Sequence, residues 1–367
     1  MSVFTKLYRG ETRFDFIGTR RRWYLASGVL IVICLISFGF RGFNVGIDFK
    51  GGTQFQINKP PSSVSTKDAE AAISTAGQTA ASAAQEVGSG STRSIIVKTK
   101  ELTQAEQVTT QDKLASALHI DPANISINSV SSSWGSDITK KAVQGLVVFL
   151  IAVFLYITAR YNWKMAVGAQ VALMHDLIIA AGIYSIVGFE LTPSTIVGLL
   201  TILGFSLYDT VVVFDKVSEN TKDLGATARM TYSEAANLAV NQTLMRSINT
   251  SLISLLPVAG LLFVGAGLLG VGTIKDLALI LFVGLAVGAY SSLFLATPVL
   301  VELKELEPEN KALAKRVLAK RNSGRVAAEP ALAGAAAAAP SLVKRGGPAP
   351  APKPGARPAA RKPRKRP

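Results

Sequence analysis

Apolar residues fall into runs of about 20, the length needed to cross a bilayer core about 30 Å thick, and the polar stretches between them are very unequal. The first run, WYLASGVLIVICLISFGF at 23–40, follows the basic cluster Arg20, Arg21 and Arg22. It starts late and has no small-residue cleavage site before RGFNVGIDF, so it reads as a retained helix rather than a signal peptide. Further runs occupy 142–159, 165–188, 195–214, 247–264 and 277–300. The cytoplasmic side is marked by the arginines before the first run and by Arg160 and Lys164 after the second. Six spans result, with both termini in the cytoplasm: 1–22 as an N-terminal segment, 23–40 as the first span, and 142–303 as the other five with short loops. The polar stretch 215–242 is long enough for a cytoplasmic amphipathic helix.

The long polar segment, 41–141, has a pattern of its own. FNVGIDF and TQFQI alternate around a glycine pair, as a bent strand or a pair of strands would. Residues 65–77 open on a capping signal and end on glycine, which predicts a helix. SAAQEV and RSIIVKT form a hairpin pattern, TQAEQVTTQDKLASAL opens on a T-x-x-E capping box, and NISINSVSSS alternates again. The order β, α, β, β, α, β predicts a small ferredoxin-like α+β domain outside the membrane. The fold class is therefore a polytopic α-helical membrane protein with six transmembrane helices and one ferredoxin-like α+β extracytoplasmic domain.

Composition supports the membrane reading and relocates the charge. Hydrophobic residues make up 49% of the chain and charged residues only 17%, against about 25% charge in ordinary soluble domains. The net charge of +15 points at first to nucleic acid, but Lys304 to the end holds 16 Lys and Arg against 4 Asp and Glu. The tail thus carries +12 and the body only +3, so the basicity does not describe the body's substrate. The tail, 304–367, is rich in Ala, Pro, Lys and Arg and is expected to be a disordered cytoplasmic segment. It reads as a solvated positive-inside tail, as a contact for anionic lipid, or as a contact for ribosomal RNA. Cys34 lies alone in an apolar run, where no intrachain disulfide is available.

The polar residues inside the spans carry the chemistry, because each charged one costs about 2.5–3.5 kcal/mol to insert. The candidates are Asp209, Arg246, Asp176 and its neighbour His175. At 1.5 Å per residue, Asp209 lies about 22 Å from the outer end of its run and Arg246 about 27 Å from the outer end of the next, so the two sit at similar depth. Such a pair is either a static salt bridge or a proton site in which the carboxylate titrates, since arginine does not. Asp176 lies about 16 Å from the cytoplasmic end of its span, placed to exchange protons with Asp209 through His175 or water, or to make an ordinary packing contact. Asp215 and Glu219 stand at the membrane edge, as a solvated or ion-paired face. Thr210, Ser247, Asn249, Thr250, Ser251 and Ser254 make the facing helices small and polar. Two His, one Cys and the lack of a P-loop or HExxH motif leave no nucleotide, metal or cofactor site, so any work is driven by an ion gradient or a partner. Nothing in the sequence points to an enzyme.

These residues also carry a family pattern. FDFIGTRRRWY, GIDFKGGTQFQI, VALMHD, YDTVVVFDKVSEN, NQTLMRSINTSLISLLP and KDLALILFVGLAVGAYSSLFLATPVL, in this order over residues 12–303, resemble the SecF branch of the bacterial SecD/SecF protein-export family. That family is similar to transporters of the resistance-nodulation-division type. The resemblance implies a cell-membrane subunit of the Sec preprotein translocase that pairs with SecD. Working beside the SecYEG channel, the pair would use the proton motive force for the late, SecA-independent stage of moving preproteins. It also implies functional importance for Asp209 and Arg246. Where the family commonly has Asn-Asp-Thr, this chain has Tyr208-Asp209-Thr210. A proton-driven small-molecule or lipid exporter of the same superfamily, and a purely structural assembly factor, are the alternatives.

Overall fold

The computed structural model of the chain describes residues 14–88, 90, 93–268 and 272–337. Six of its helices are long and apolar enough to cross a membrane. In chain order the elements are α1 (Arg20–Phe40), β1 (Asn44–Val45), α2 (Ile47–Lys50), β2 (Gly52–Asn58), α3 (Thr66–Thr75), β3 (Gln85–Val87), β4 (Ser94–Thr99), α4 (Gln104–Leu118) and β5 (Ile125–Val130). They continue with α5 (Ser132–Arg160), α6 (Trp163–Val187), β6 (Glu190–Leu191), α7 (Pro193–Thr221), α8 (Leu224–Thr227), α9 (Tyr232–Gly260), α10 (Gly272–Ser291), α11 (Thr297–Glu305) and α12 (Pro308–Ala337). Two π-helical turns, Leu261–Leu268 and Ser292–Ala296, extend the fifth and sixth spans.

The extracytoplasmic domain has the expected ferredoxin-like topology: an antiparallel sheet in the order β3-β4-β2-β5 with α3 and α4 as its crossover helices. Alternation in β2 sends Thr53, Phe55 and Ile57 to the buried face. There Phe55 lies opposite Val97 and Ile57 opposite Ile95, against Ile73 of α3 and Leu114 of α4. Both helices start on complete capping boxes, Ser65 with Asp68 and Thr103 with Glu106, which satisfy backbone N–H groups that a first helical turn leaves free.

Several expectations need correction. FNVGIDF is not a sheet strand: Asn44–Val45 makes a two-residue parallel bridge to Glu190–Leu191, and Ile47–Lys50 is a single helical turn. The glycine pair ends that turn, with φ of 76° at Gly51 and 143° at Gly52, values that favour glycine. A Cβ on Gly51 would stand 2.5 Å from the Ser132 backbone, so the pair also lets this corner dock on the start of α5. The second-span helix begins at Ser132, ten residues before its apolar run. No separate amphipathic helix fills 215–242; α7 runs on to Thr221, α9 starts at Tyr232, and only the short α8 lies between them. The tail was expected to be disordered from Lys304, but α11 extends to Glu305 and Pro308 opens α12, a helix to Ala337. Proline at the first position of a helix needs no N–H partner, and the Leu313 and Val317 side chains are buried. The expectation for 338–367 falls outside the described residues.

Within the membrane body the third span is the most enclosed of the six, and the window of the fifth span buries none of its residues. The fourth span presents buried residues every three or four positions, Gly198, Ile202, Ser206, Asp209, Val213 and Val217 among them, which is one face of a helix. Glycines let the sixth span approach that face closely. A Cβ on Gly198 would lie 2.3 Å from Ile280, and one on Gly284 would lie 2.1 Å from Ile202. At the end of the bundle away from the external domain, Arg20 pairs with Glu302 and Glu305 at 3.2 and 3.1 Å, and Glu307 pairs with Lys164 and Lys304 at 2.8 and 3.0 Å.

Candidate functional site

The close crossing of the fourth and sixth spans builds two acid sites side by side. Asp209 is 8% exposed. Its Oδ1 accepts a hydrogen bond from Ser247 Oγ of the fifth span at 2.7 Å, and its Oδ2 lies 2.5 Å from Ser292 Oγ at the start of the π turn. Asp176, on the third span, is 3% exposed. Its Oδ2 lies 2.5 Å from Ser206 Oγ and 2.8 Å from Ser291 Oγ. Ser206 precedes Asp209 by three residues, so one face of the fourth span contributes a carboxylate to one site and a hydroxyl to the other.

His175 Nδ1 lies 3.2 Å from Asp176 Oδ1, and the imidazole is 5.9 Å from the Tyr290 ring. Its Nε2 is buried and has no hydrogen-bond partner among the described residues. Asp176 thus turns to the fourth and sixth spans while His175 turns along the sixth, as adjacent helical residues about 100° apart must. A small cavity of about 30 Å³ opens beside Asp209, lined also by Ser206, Thr250, Ser251, Ser254 and Gly288. That is room for a water or two among polar groups able to hold it.

One expected contact is absent. Among the described residues no ion pair joins Asp209 to Arg246; the guanidinium Nη2 instead donates to Tyr208 Oη at 3.3 Å on an exposed edge of the bundle. The depth comparison matched height along the two helices but not direction around them, and it is the next residue, Ser247, that faces Asp209. Farther along the fourth span Lys216 pairs with Glu219 at 2.9 Å and Tyr161 donates to Asp215 at 3.4 Å, so Glu219 is ion-paired as expected and Asp215 is hydrogen-bonded.

Sequence reasoning did not single out Ser206, Ser291 or Ser292. Ser206 carried a readable signal, being three positions from Asp209 on one helix face. Ser291 and Ser292 are two consecutive hydroxyls in an otherwise apolar run, and only the π turn and the glycine crossing bring them to the carboxylates.

A second buried polar contact lies where the external domain meets the membrane body. Lys98 of β4 pairs with Glu190 of β6, and the two side chains are only 8% and 14% exposed. Asp48 of α2 feels the same lysine. Burial raises the Asp48 carboxyl above its ordinary value, and Lys98 offsets part of that rise.

Comparison with known proteins agrees with this architecture. Residues 109–306 match the family described as "Protein export membrane protein SecD/SecF, C-terminal", and residues 36–58 match the "SecD/SecF GG Motif". The chain is 46% identical over 326 residues to the protein translocase subunit SecF of Streptomyces coelicolor, covering 89% of this chain and 86% of that one. It is 47% identical over 330 residues to the SecF subunit of Mycobacterium tuberculosis, covering 88% and 74%. The crystal structure of SecDF from Thermus thermophilus, a translocon-associated membrane protein, superposes with a TM-score of 0.71 at 32% identity, covering 81% of this chain and 39% of that longer one.

Proposed function

The chain belongs to the SecD/SecF protein-export family as a multi-pass membrane protein that partners SecD in Sec-associated export, and we propose that it couples this export to the proton motive force through Asp209. The observation that carries the reading is a buried carboxylate with two hydroxyl partners, no cation in contact among the described residues, and a water-sized polar cavity beside it. An ionised carboxylate in that setting is costly, and a hydroxyl can donate to the ionised form or accept from the protonated one. Arg246, one residue from Ser247, is the cation to which the ionised form turns, and Asp209 alternates between hydroxyl-held and arginine-paired states. A change of partner that accompanies a change of protonation is what joins proton flow to helix movement.

Thr250, Ser251 and Ser254 lead from Asp209 toward the outer end of the fifth span, and Asp176 with His175 continues the polar path to the third. Tyr208 and Arg246 lie on the exposed edge that the SecD half would cover, because six spans alone enclose no complete pathway. Both termini face the cytoplasm of a cell-membrane protein, and the external domain meets the preprotein as it leaves the SecYEG channel, after SecA has acted.

Vesicles holding the full chain with SecD and the channel test the proposal. Asp209→Asn is expected to insert and assemble normally yet abolish the gradient-dependent part of export. Export that still responds fully to an imposed proton gradient would refute the mechanism, and lost assembly would make Asp209 a structural lock.

A further inference from the structure

The sixth span places two consecutive serines on two different acids. Ser291 Oγ lies 2.8 Å from Asp176 Oδ2 and also 3.3 Å from the Gly288 carbonyl. Ser292 Oγ lies 2.5 Å from Asp209 Oδ2 and also 3.2 Å from the Ala289 carbonyl. A hydroxyl has one proton, so each serine donates to its carboxyl or to the carbonyl three residues back, never to both. Neighbouring helical residues point about 100° apart, which is how one dipeptide reaches carboxyls on two different spans. The dipeptide also marks the point where the sixth span changes from α to π geometry, over Ser292–Ala296. Such turns interrupt the regular backbone ladder and recur at functional sites.

We infer that Ser291 and Ser292 form a positioning pair that makes the protonation of Asp176 and of Asp209 a single coupled event and transmits it to the π turn of the sixth span. The inference rests on the proton-coupling reading of Asp209. When the acid is ionised, the serine hydroxyl donates to the carboxylate and ties the sixth span to its neighbour. When the acid is protonated, its own O–H donates to the serine oxygen, and the serine proton turns to the carbonyl of Gly288 or Ala289. Each protonation thereby reverses the hydrogen bond between the helices and adds one within the sixth helix, beside the place where the ladder already changes spacing.

No covalent bond outside the titrating O–H is made or broken, and the proton comes from the gradient. The two serines share a backbone, so a turn of one alters the setting of the other. The titratable and charged groups around the pair are His175 and Asp176 of the third span, Tyr208 and Asp209 of the fourth, Arg246 of the fifth, and Tyr290 of the sixth itself.

The test follows the carbonyl stretch of each protonated acid by infrared difference spectroscopy on the full chain with SecD in vesicles, across pH, with Asp176→Asn and Asp209→Asn used to assign the bands. Ser291→Ala touches only Asp176 directly. It is expected to move the protonation midpoint of Asp209 as well, by about tenfold in proton concentration, the scale of one hydrogen bond to an ionised carboxylate. Ser291→Thr, which keeps the hydroxyl, is expected to restore it. Ser291→Cys, close in size and a weak donor, repeats the measurement should the alanine variant not assemble. An Asp209 midpoint unmoved by both Ser291→Ala and Ser291→Cys would overturn the coupling while leaving the Asp209 mechanism standing. Export that still responds fully to an imposed proton gradient in Asp209→Asn would overturn that mechanism without bearing on the titration itself.

Discussion

Buried carboxylates occur in two parts of this molecule and are held in opposite ways. At the joint between the external domain and the membrane body, Glu190 is paired with Lys98. In the membrane, Asp209 is held by serine hydroxyls with no cation in contact among the described residues, and Asp176 is held by two serine hydroxyls beside the His175 ring. A buried carboxylate–ammonium pair is stable only while both partners are charged, so it behaves as a fixed connection. A carboxyl among hydroxyls keeps hydrogen bonds in either protonation state, because the hydroxyl donates to one form and accepts from the other. The joint therefore has the chemistry of a fastening and the membrane pair that of a switch, although the residues involved are of the same type.

The largest test of that contrast is Asp209→Asn, which keeps the size and hydrogen bonds of the side chain but not its titration; gradient-driven export should fall to the level seen without a gradient. The joint is expected to respond in stability instead. Lys98→Met leaves Glu190 buried without its cation, at a cost of about 3–5 kcal/mol, visible as an earlier unfolding of the external domain and easier proteolysis near 188–192. Replacing both partners, Lys98→Met with Glu190→Leu, should recover most of that loss. Single and double variants equally damaged would mean that the joint needs its charges for something besides mutual neutralisation. A smaller effect is expected at the helix crossing. Gly284→Ala puts a methyl within 2.1 Å of Ile202, and overpacking of that kind costs about 1–3 kcal/mol. By parting the fourth and sixth spans it should also weaken the hydrogen bonds from Ser291 and Ser292, so it loses export more than it loses stability.

The contrast was only half legible in the sequence, for physical reasons. Asp176 and Asp209 interrupt apolar runs, and a charge in lipid is conspicuous whatever surrounds it. Their partners are not conspicuous. Arg246 has the right charge and depth, but a rise of 1.5 Å per residue says nothing of azimuth, and the side chain that meets Asp209 is its neutral neighbour Ser247. The serines of the sixth span depend on a local π turn that hydropathy does not encode. Lys98 and Glu190 lie 92 residues apart, in a strand of the external domain and a loop between spans, where each looks like an ordinary surface charge. The ferredoxin-like order was readable because its helices carry capping boxes and its strands alternate. FNVGIDF alternates equally well, and only the docking of the glycine pair on α5 makes it a corner instead of a strand.

The smallest expected effect concerns pH at the external domain, where two kinds of carboxylate should pull in opposite directions. Hydrogen bonds from Ser65 and Thr103 hold the Asp68 and Glu106 carboxyls below their ordinary values. A carboxyl lowered by folding stabilises the folded state at pH above its unfolded value, and that contribution is lost as pH falls through the folded one. Asp48 is raised by burial. Its contribution has the opposite sign: it is complete below the unfolded value and is lost as pH rises through the folded one. Acidification toward the ordinary carboxylate range should therefore first favour the corner around α2, and on going lower should loosen the first turns of α3 and α4. Amide hydrogen exchange resolves the two: Ser65→Ala with Thr103→Ala should remove the acid sensitivity of the helix starts, and Asp48→Asn should flatten the opposite trend at the joint. A joint that strengthens with acid in the Asp48→Asn variant as much as in the parent would locate its pH response in another group.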